Sequence, residues 1–212
     1  MFFAVLGDMG KRYNIPQPGL HRCEEIIKRS RFIATVAWAP DVGAAKSFIE
    51  TIKSEFPDAT HNCWAYAAGP PGDTAAVGFS DDGEPHGTAG RPMLNALLYS
   101  GIGEAAVVVT RYFGGVKLGS GGLVRAYSGA TAKGLEAAPV REKITPARLK
   151  IELDYTLITQ FKRALAEFEA VVLEEAFTDA AGFVVELPEE HAEAFTLFLT
   201  DLSHGKASVE SI

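Results

Sequence analysis

One stretch of the chain, residues 104–138, joins a strand pattern to a glycine-rich loop and then to a helix pattern. The run Ala105–Thr110 is rich in β-branched residues and predicts a buried strand. Five glycines fall within residues 114–122, and a helical pattern follows with Ser120 as its expected N-cap. A strand, a glycine loop and a helix N-terminus in this order present backbone N–H groups to an anion. The stretch therefore predicts a phosphate site.

The charge of this stretch supports the same prediction. No acidic residue occurs from Ala105 to Leu135, whereas Arg111, Lys117 and Arg125 supply positive charge. We expect these three cations to form one anion-binding surface together with the glycine loop. The predicted phosphate-binding residues of this stretch are Arg111, Gly114, Gly115, Lys117, Gly119, Ser120, Gly121 and Arg125.

Two other interpretations of the stretch stay open. The glycines can serve only to shape a tight turn. Carboxylates from elsewhere in the fold can neutralise the cations, and Asp81, Asp82 and Glu84 are the candidates. The nucleotide-binding pattern GxxxxGK[ST] is absent, and no GxGxxG opens the loop after the strand. The local pattern therefore indicates an anion without indicating ATP.

A second polar stretch, residues 80–88, contains three acids and a histidine within six residues. Such a cluster can hold a divalent metal or supply a general acid or base, but its turn-forming sequence is also typical of a solvated loop. We predict instead that it forms the second wall of a pocket, with no metal. The predicted wall residues are His61, Asp82, Glu84 and His86. The helix start that follows, with Thr88 and Arg91, is a second candidate anion site.

The net charge of −7 is divided unevenly along the chain. Residues 1–146 hold 15 Lys and Arg against 14 Asp and Glu, whereas residues 147–212 hold 5 against 13. The polar segment Pro139–Ala147 is flanked by prolines, which is typical of a linker. We therefore predict one domain over 1–140, a linker over 141–147 and an acidic domain over 148–212. The last of these has the strand and helix order βαββαβ of a ferredoxin-like domain.

Targeting signals and cofactor motifs are not evident in the sequence. The apolar run Met1–Leu6 is too short for a secretory signal, and no apolar run approaches the ~20 residues of a membrane span. Cys23 and Cys63 are too few for a disulfide framework. We expect a cytoplasmic protein that needs no cofactor and no membrane. The sequence leaves the oligomeric state open.

Two long motifs carry a family resemblance: Thr110–Tyr127, with TRYFGGVKLGSGGLVRAY, and Ser80–Pro92, with SDDGEPHGTAGRP. Together with Ser30–Ala34 and His61–Tyr66, they resemble the YigZ/IMPACT family. The resemblance implies an α+β protein of two domains. Its N-terminal α/β domain would be similar to domain 2 of ribosomal proteins and to GHMP kinases. Its C-terminal domain would be ferredoxin-like, similar to modules of elongation factor G.

The resemblance also implies a link to translation, without an agreed enzymatic activity. Our first hypothesis is a non-enzymatic regulator of translation that binds RNA, the ribosome or a translation factor through its N-terminal domain. The alternative is a small-molecule phosphotransferase, or another enzyme of phosphate ligands, that uses the glycine loop. Such an enzyme would need a Mg²⁺ carboxylate from the acidic cluster at 81–84. A third hypothesis is an adaptor whose acidic domain contacts a basic partner.

Overall fold

The computed structural model describes residues 12–212, which form two compact units. The first unit ends at Lys143 and the second comprises Ile144–Ile212. The run Met1–Leu6, for which we predicted no secretory signal, lies outside the described residues. Among residues 12–212, no helix combines the length and the apolar character that crossing a bilayer requires.

The first unit is built on a five-stranded sheet in which every neighbouring pair of strands is antiparallel. Its elements are β1 Arg12–Pro16, β2 His21–Ile27, β3 Ser30–Trp38, α1 Val42–Glu55, β4 His61–Ala67, β5 Val77–Ser80, α2 Gly90–Leu98, β6 Ala105–Tyr112, α3 Ser120–Ala137 and β7 Val140–Ile144. The strand order is β2-β3-β6-β4-β5, and β1 pairs separately with β7. The strand predicted at Ala105–Thr110 is thus confirmed as the centre of the sheet.

Helices cover both faces of this sheet because both faces of β6 are apolar. Val107 and Val109 pack against α2 and α3, whereas Ala106 and Val108 pack against α1. Side chains alternate between the two faces of a strand, so Arg111 continues the series that faces α2 and α3. The alternation therefore brings a charged side chain to the end of an apolar face.

The loop between β6 and α3 ends one residue earlier than predicted. Ser120 is the first residue of the helix, and Gly119 occupies the N-cap position with a φ of 76°. This left-handed conformation favours glycine, because a side chain there would meet its own backbone. The prediction of Ser120 as N-cap is therefore wrong by one position.

The second unit has the predicted ferredoxin-like order of elements, which confirms the mixed α and β fold. Its elements are β8 Pro146–Leu153, a short 3-10 helix Tyr155–Leu157, α4 Ile158–Ala164, β9 Val171–Phe177, β10 Ala181–Pro188, α5 Glu189–Leu202 and β11 Ser208–Ser211. The antiparallel sheet has the order β11-β8-β10-β9. Its core contains Ile151, Phe161, Phe183 and Phe195, all fully buried.

The segment 141–147 is not the irregular linker that its composition predicts. Residues Val140–Ile144 form β7 and Pro146 begins β8, so only Thr145 lies between two strands. The partner that orders β7 is β1, which is more than 100 residues away in sequence. A linker pattern read from local composition could not detect that pairing. The independence of the two predicted domains stays a prediction.

Candidate functional site

An open cleft of about 360 Å³ lies beside the end of β6 in the first unit. It is lined by six of the predicted site residues: His61, Glu84, Arg111, Lys117, Gly119 and Ser120. The sheet register explains part of this convergence, because Arg111 pairs with His61 on β4. The glycine loop contributes the opposite wall. Two stretches that lie far apart in sequence therefore meet in one cleft.

Arg111 and Glu84 form a buried ion pair at the base of this cleft. Their side chains are only 6% and 3% exposed, and Arg111 Nη1 donates to Glu84 Oε1. The Tyr127 hydroxyl donates to the same oxygen at 2.8 Å. Buried charges require such pairing because desolvation is costly. The interpretation in which a carboxylate from elsewhere neutralises Arg111 therefore holds for this residue.

The rest of the Arg111 guanidinium is held by rings and by one hydroxyl. Its Cζ atom lies 5.4 Å from the ring centroid of Phe32 and 5.5 Å from that of Phe113, within cation–π range. Nη2 donates to Ser30 Oγ at 3.4 Å. Nε is buried and has no hydrogen-bond partner. Arg111 is thus a fixed part of the cleft that still has one unsatisfied donor.

The N-terminus of α3 opens into the cleft without a side-chain cap. Gly119 makes no capping hydrogen bond, and the first turn of α3 contains no acidic residue. The first N–H groups of a helix have no partner within the helix, and its N-terminus carries partial positive charge. Exposed Lys117 lies beside them in the cleft lining. Arg125 is exposed but lies outside this lining.

The N-terminus of α2, in contrast, already holds an anion. Asp81 accepts hydrogen bonds from the N–H groups of Gly87, Ala89 and Gly90 at 2.8, 3.0 and 2.9 Å. Burial alone would raise the pKa of Asp81, but these three N–H groups outweigh it and lower the pKa. The sequence assigned Asp81 to a possible metal cluster and so missed its capping role.

The structure places Thr88 and Arg91, the second predicted anion site, away from the cleft at Arg111. Thr88 is buried, and its hydroxyl donates to the Pro85 carbonyl at 2.6 Å. Arg91 lies over the ring of Phe79 at 5.6 Å and lines a separate depression between α2 and α3. Neither residue lines the cleft at Arg111.

Of the four predicted wall residues, His61 and Glu84 line the cleft, whereas Asp82 and His86 do not. His61 Nδ1 lies 2.8 Å from the Asp82 carbonyl oxygen. A carbonyl oxygen can only accept, so Nδ1 donates and Nε2 is directed to Glu84 Oε1, 3.9 Å away. The His86 side chain is fully exposed, with Nδ1 3.8 Å from Asp81 Oδ2.

The acids of the 81–84 cluster all have partners within the protein. The Asp82 carboxylate accepts the Asn62 N–H at 2.7 Å and pairs with Lys53 at 3.2 Å. Asp81 caps α2 and Glu84 pairs with Arg111. Within residues 12–212, no group of three or more His, Cys, Asp or Glu side chains has the arrangement to hold a metal ion.

Trp64, Tyr66 and Cys63, which lie on the same strand as His61, belong to the core. Trp64 and Tyr66 stack at 5.9 Å and pack on the α1 side of the sheet, away from the cleft. Cys63 is fully buried, and its thiol donates to the Asp81 carbonyl at 2.9 Å. Burial raises the pKa of this thiol, which disfavours the nucleophilic thiolate. These residues therefore stabilise the unit without lining a site.

Sequence analysis missed one organising residue, Ser30. Its side chain is fully buried, and its Oγ accepts from the Gly114 N–H at 3.2 Å and from Arg111. It therefore ties the start of β3 to both the strand end and the glycine loop. Ser30 opens one of the motifs that carried the resemblance, and no chemistry could be assigned to it there.

Comparison with known proteins places this fold and cleft in a family. The Impact N-terminal domain matches residues 28–135, about half of the chain, and includes the whole glycine loop. The chain belongs to the IMPACT family. A domain of unknown function, DUF1949, matches residues 151–206 in the second unit.

Several IMPACT family members are similar over most of their length. The IMPACT family member YigZ of Escherichia coli K12 is 39% identical over 188 residues, which are 89% of this chain and 92% of that protein. The IMPACT family member YvyE of Bacillus subtilis 168 is 35% identical over 198 residues, 93% and 89% of the two chains. A crystal structure described as that of a hypothetical protein is 38% identical, with a TM-score of 0.64, and the match covers 95% of this chain and 98% of that one.

Proposed function

We propose that this IMPACT family member is a non-enzymatic RNA-binding protein that acts on the translation apparatus, and that its cleft holds a backbone phosphate of RNA. The observation that carries the proposal is the uncapped N-terminus of α3 in the cleft, beside Lys117. Backbone N–H groups, helix N-termini and lysines are the groups that proteins use to bind phosphates.

The N-terminus of α3 differs from those of α1, α2 and α5, each of which has a carboxylate nearby. Asp41 caps α1 through a hydrogen bond of 2.8 Å from the Ala44 N–H, and Asp81 caps α2. The first turn of α5 contains Glu189 and Glu190. Each of these helices therefore has a carboxylate near its positive end. An RNA phosphate would supply the corresponding negative charge at α3.

A second, independent observation also favours an anion in the cleft. The Nε atom of Arg111 is buried without a hydrogen-bond partner in a side chain that is 94% buried. Unsatisfied buried donors are rare in proteins and often indicate a missing water, ion or ligand. The guanidinium lines the same cleft as Lys117 and Gly119. A negatively charged ligand in the cleft would lie beside both features.

The alternative, a phosphotransferase, gains no support from the acidic cluster. Its Mg²⁺ would need a free carboxylate near the phosphates. Asp81, Asp82 and Glu84 are held by a helix N-terminus, by Lys53 and by Arg111, respectively. Binding a metal would require breaking one of these contacts. We therefore retain the binding function as the conclusion.

The experiment is a salt titration of RNA binding, followed by fluorescence anisotropy with a labelled poly-U RNA of about 12 nucleotides. Lys117→Gln should reduce the log–log salt slope by about 0.7 and weaken binding about fivefold at about 0.1 M salt. Lys46→Gln is the matched control, because Lys46 is exposed on α1, on the opposite side of the sheet. Absence of binding at about 50 mM salt, or equal losses in both variants, would overturn the proposal.

The link to translation needs its own measurement. We expect the wild-type chain to sediment with ribosomal particles in a low-salt sucrose gradient, and Lys117→Gln to shift it toward the top of the gradient. A chain that binds poly-U but never sediments with ribosomal particles would limit the function to RNA binding.

A further inference from the structure

We infer that the tip of the β2–β3 hairpin, Lys28 and Arg29, extends the RNA surface of the cleft and contacts further phosphates of the same strand. This inference rests on the proposed function, because it assumes that RNA occupies the cleft. It adds two residues outside the glycine loop and specifies the ligand as an extended single strand.

The first observation is the conformation of the hairpin tip. Ile27 and Ser30 pair directly, so Lys28 and Arg29 form a two-residue turn. Both have positive φ, 46° and 69°, as a type I′ turn requires. Such turns strongly prefer Asn-Gly, Asp-Gly or Gly-Gly, because positive φ angles are unfavourable for most residues with a side chain. Two long cationic side chains at this position oppose the local folding preference, which is typical of functional positions.

The second observation is the contact between this tip and the glycine loop. A Cβ atom added at Gly114 would overlap the carbonyl group of Arg29, so glycine is required for the approach. The Gly114 N–H donates to Ser30 Oγ at 3.2 Å, which holds the loop against the hairpin. Only three peptide units separate Gly114 from Lys117, so their Cα atoms are at most about 11 Å apart. The hairpin cations therefore lie near the cleft.

The third observation is that these cations are available. Lys28 and Arg29 are exposed, and neither forms an ion pair within residues 12–212. The neighbouring Arg31, in contrast, makes two hydrogen bonds of 2.8 Å to Glu24. The glycine loop that faces the tip contains no acid. Unpaired cations beside an acid-free loop favour a polyanion over a neutral or cationic partner.

The distance favours an extended strand over a single phosphate. Nucleotides advance by about 3.4 Å along the axis of a duplex and by more in an extended strand, so at most about three nucleotides cover 11 Å. A strand with one phosphate at the α3 N-terminus would therefore reach the hairpin within a few nucleotides. A mononucleotide in the cleft would leave the hairpin unused.

The test uses Lys28→Asn/Arg29→Gly, which removes both charges and installs the preferred sequence of a type I′ turn. We expect thermal stability to be unchanged or higher. The salt slope for the poly-U RNA should fall by about 1.4, and binding should weaken about 25-fold at about 0.1 M salt. Lys28→Gln/Arg29→Gln also removes both charges but does not install Asn-Gly, and it should cause the same loss of binding. The matched control is Lys46→Gln/Arg163→Gln, two exposed sites that remove the same net charge elsewhere.

The outcomes separate this inference from the proposed function. If Lys117→Gln weakens binding but neither hairpin variant does so more than the control, the inference is overturned and the proposed function stands. If the wild type binds no RNA at about 50 mM salt, the proposed function fails and the inference fails with it. A loss of binding in both hairpin variants, with stability maintained, supports the extended surface.

Discussion

Replacing Glu84 with Gln should destabilise the first unit by about 3 kcal/mol. The substitution removes the charge that neutralises Arg111, and both side chains are almost fully buried. Removing one partner of a buried ion pair costs about 3–5 kcal/mol, because the other charge stays desolvated. We use the lower end of that range because the Gln oxygen still accepts from the Tyr127 hydroxyl. The corresponding fall in melting temperature is about 10 °C.

Tryptophan fluorescence during urea unfolding measures this effect in the first unit alone. Both tryptophans of the chain, Trp38 and Trp64, lie in that unit. The double variant Glu84→Leu/Arg111→Met should recover most of the loss, since apolar residues can replace a buried ion pair. About 1 kcal/mol should remain lost, because the Tyr127 hydroxyl then has no acceptor. A loss below about 1 kcal/mol in Glu84→Gln would refute the reasoning.

Three further predictions follow from the packing and the capping. Asp81→Ala should lower the free energy of unfolding by about 1–2 kcal/mol near pH 7. The fold lowers the pKa of Asp81, so this difference between wild type and variant should shrink as the pH falls below about 4. Urea unfolding at each pH measures it. Gly114→Ala should cost about 1–3 kcal/mol by overlap with Arg29, whereas Gly121→Ala, which has open space in a helix, should gain about 0.5 kcal/mol in the same assay. Residues 144–212 expressed alone should unfold cooperatively on heating, and a broad, non-cooperative transition would contradict their independence.

The features that sequence predicted well depend on local patterns. The β-branched run at Ala105–Thr110 is the central strand, and the helical spacing after the glycines is α3. The order of elements in the second unit was also evident, because alternating apolar residues on β8 and β10 mark one buried face. Patterns of this kind are fixed by neighbouring residues, so no knowledge of the tertiary fold is needed.

The features that sequence could not predict depend on distant partners. The sequence offered Asp81, Asp82 and Glu84 as possible partners of Arg111, and only the fold selects Glu84, which lies 27 positions away. Asp81 lies in an acidic cluster of the kind that can bind a metal, and only the fold shows that it caps α2. The pairing of β7 with β1 likewise converts a predicted linker into a strand. In each case the local sequence is compatible with several roles, and a contact with a residue distant in sequence decides between them.

The departures from local folding preference around the cleft have a common explanation in the proposed function. Gly119 leaves the N-terminus of α3 without a side-chain cap, and Lys28 with Arg29 occupies a turn that prefers Asn-Gly. Departures of this kind concentrate at functional sites, because selection for a ligand opposes selection for stability. Ser30 and Gly114 join the two features at one end of the sheet. A negatively charged strand is the ligand that would use the helix N-terminus and both cations together, and this is why the hairpin and the loop should be tested on the same RNA.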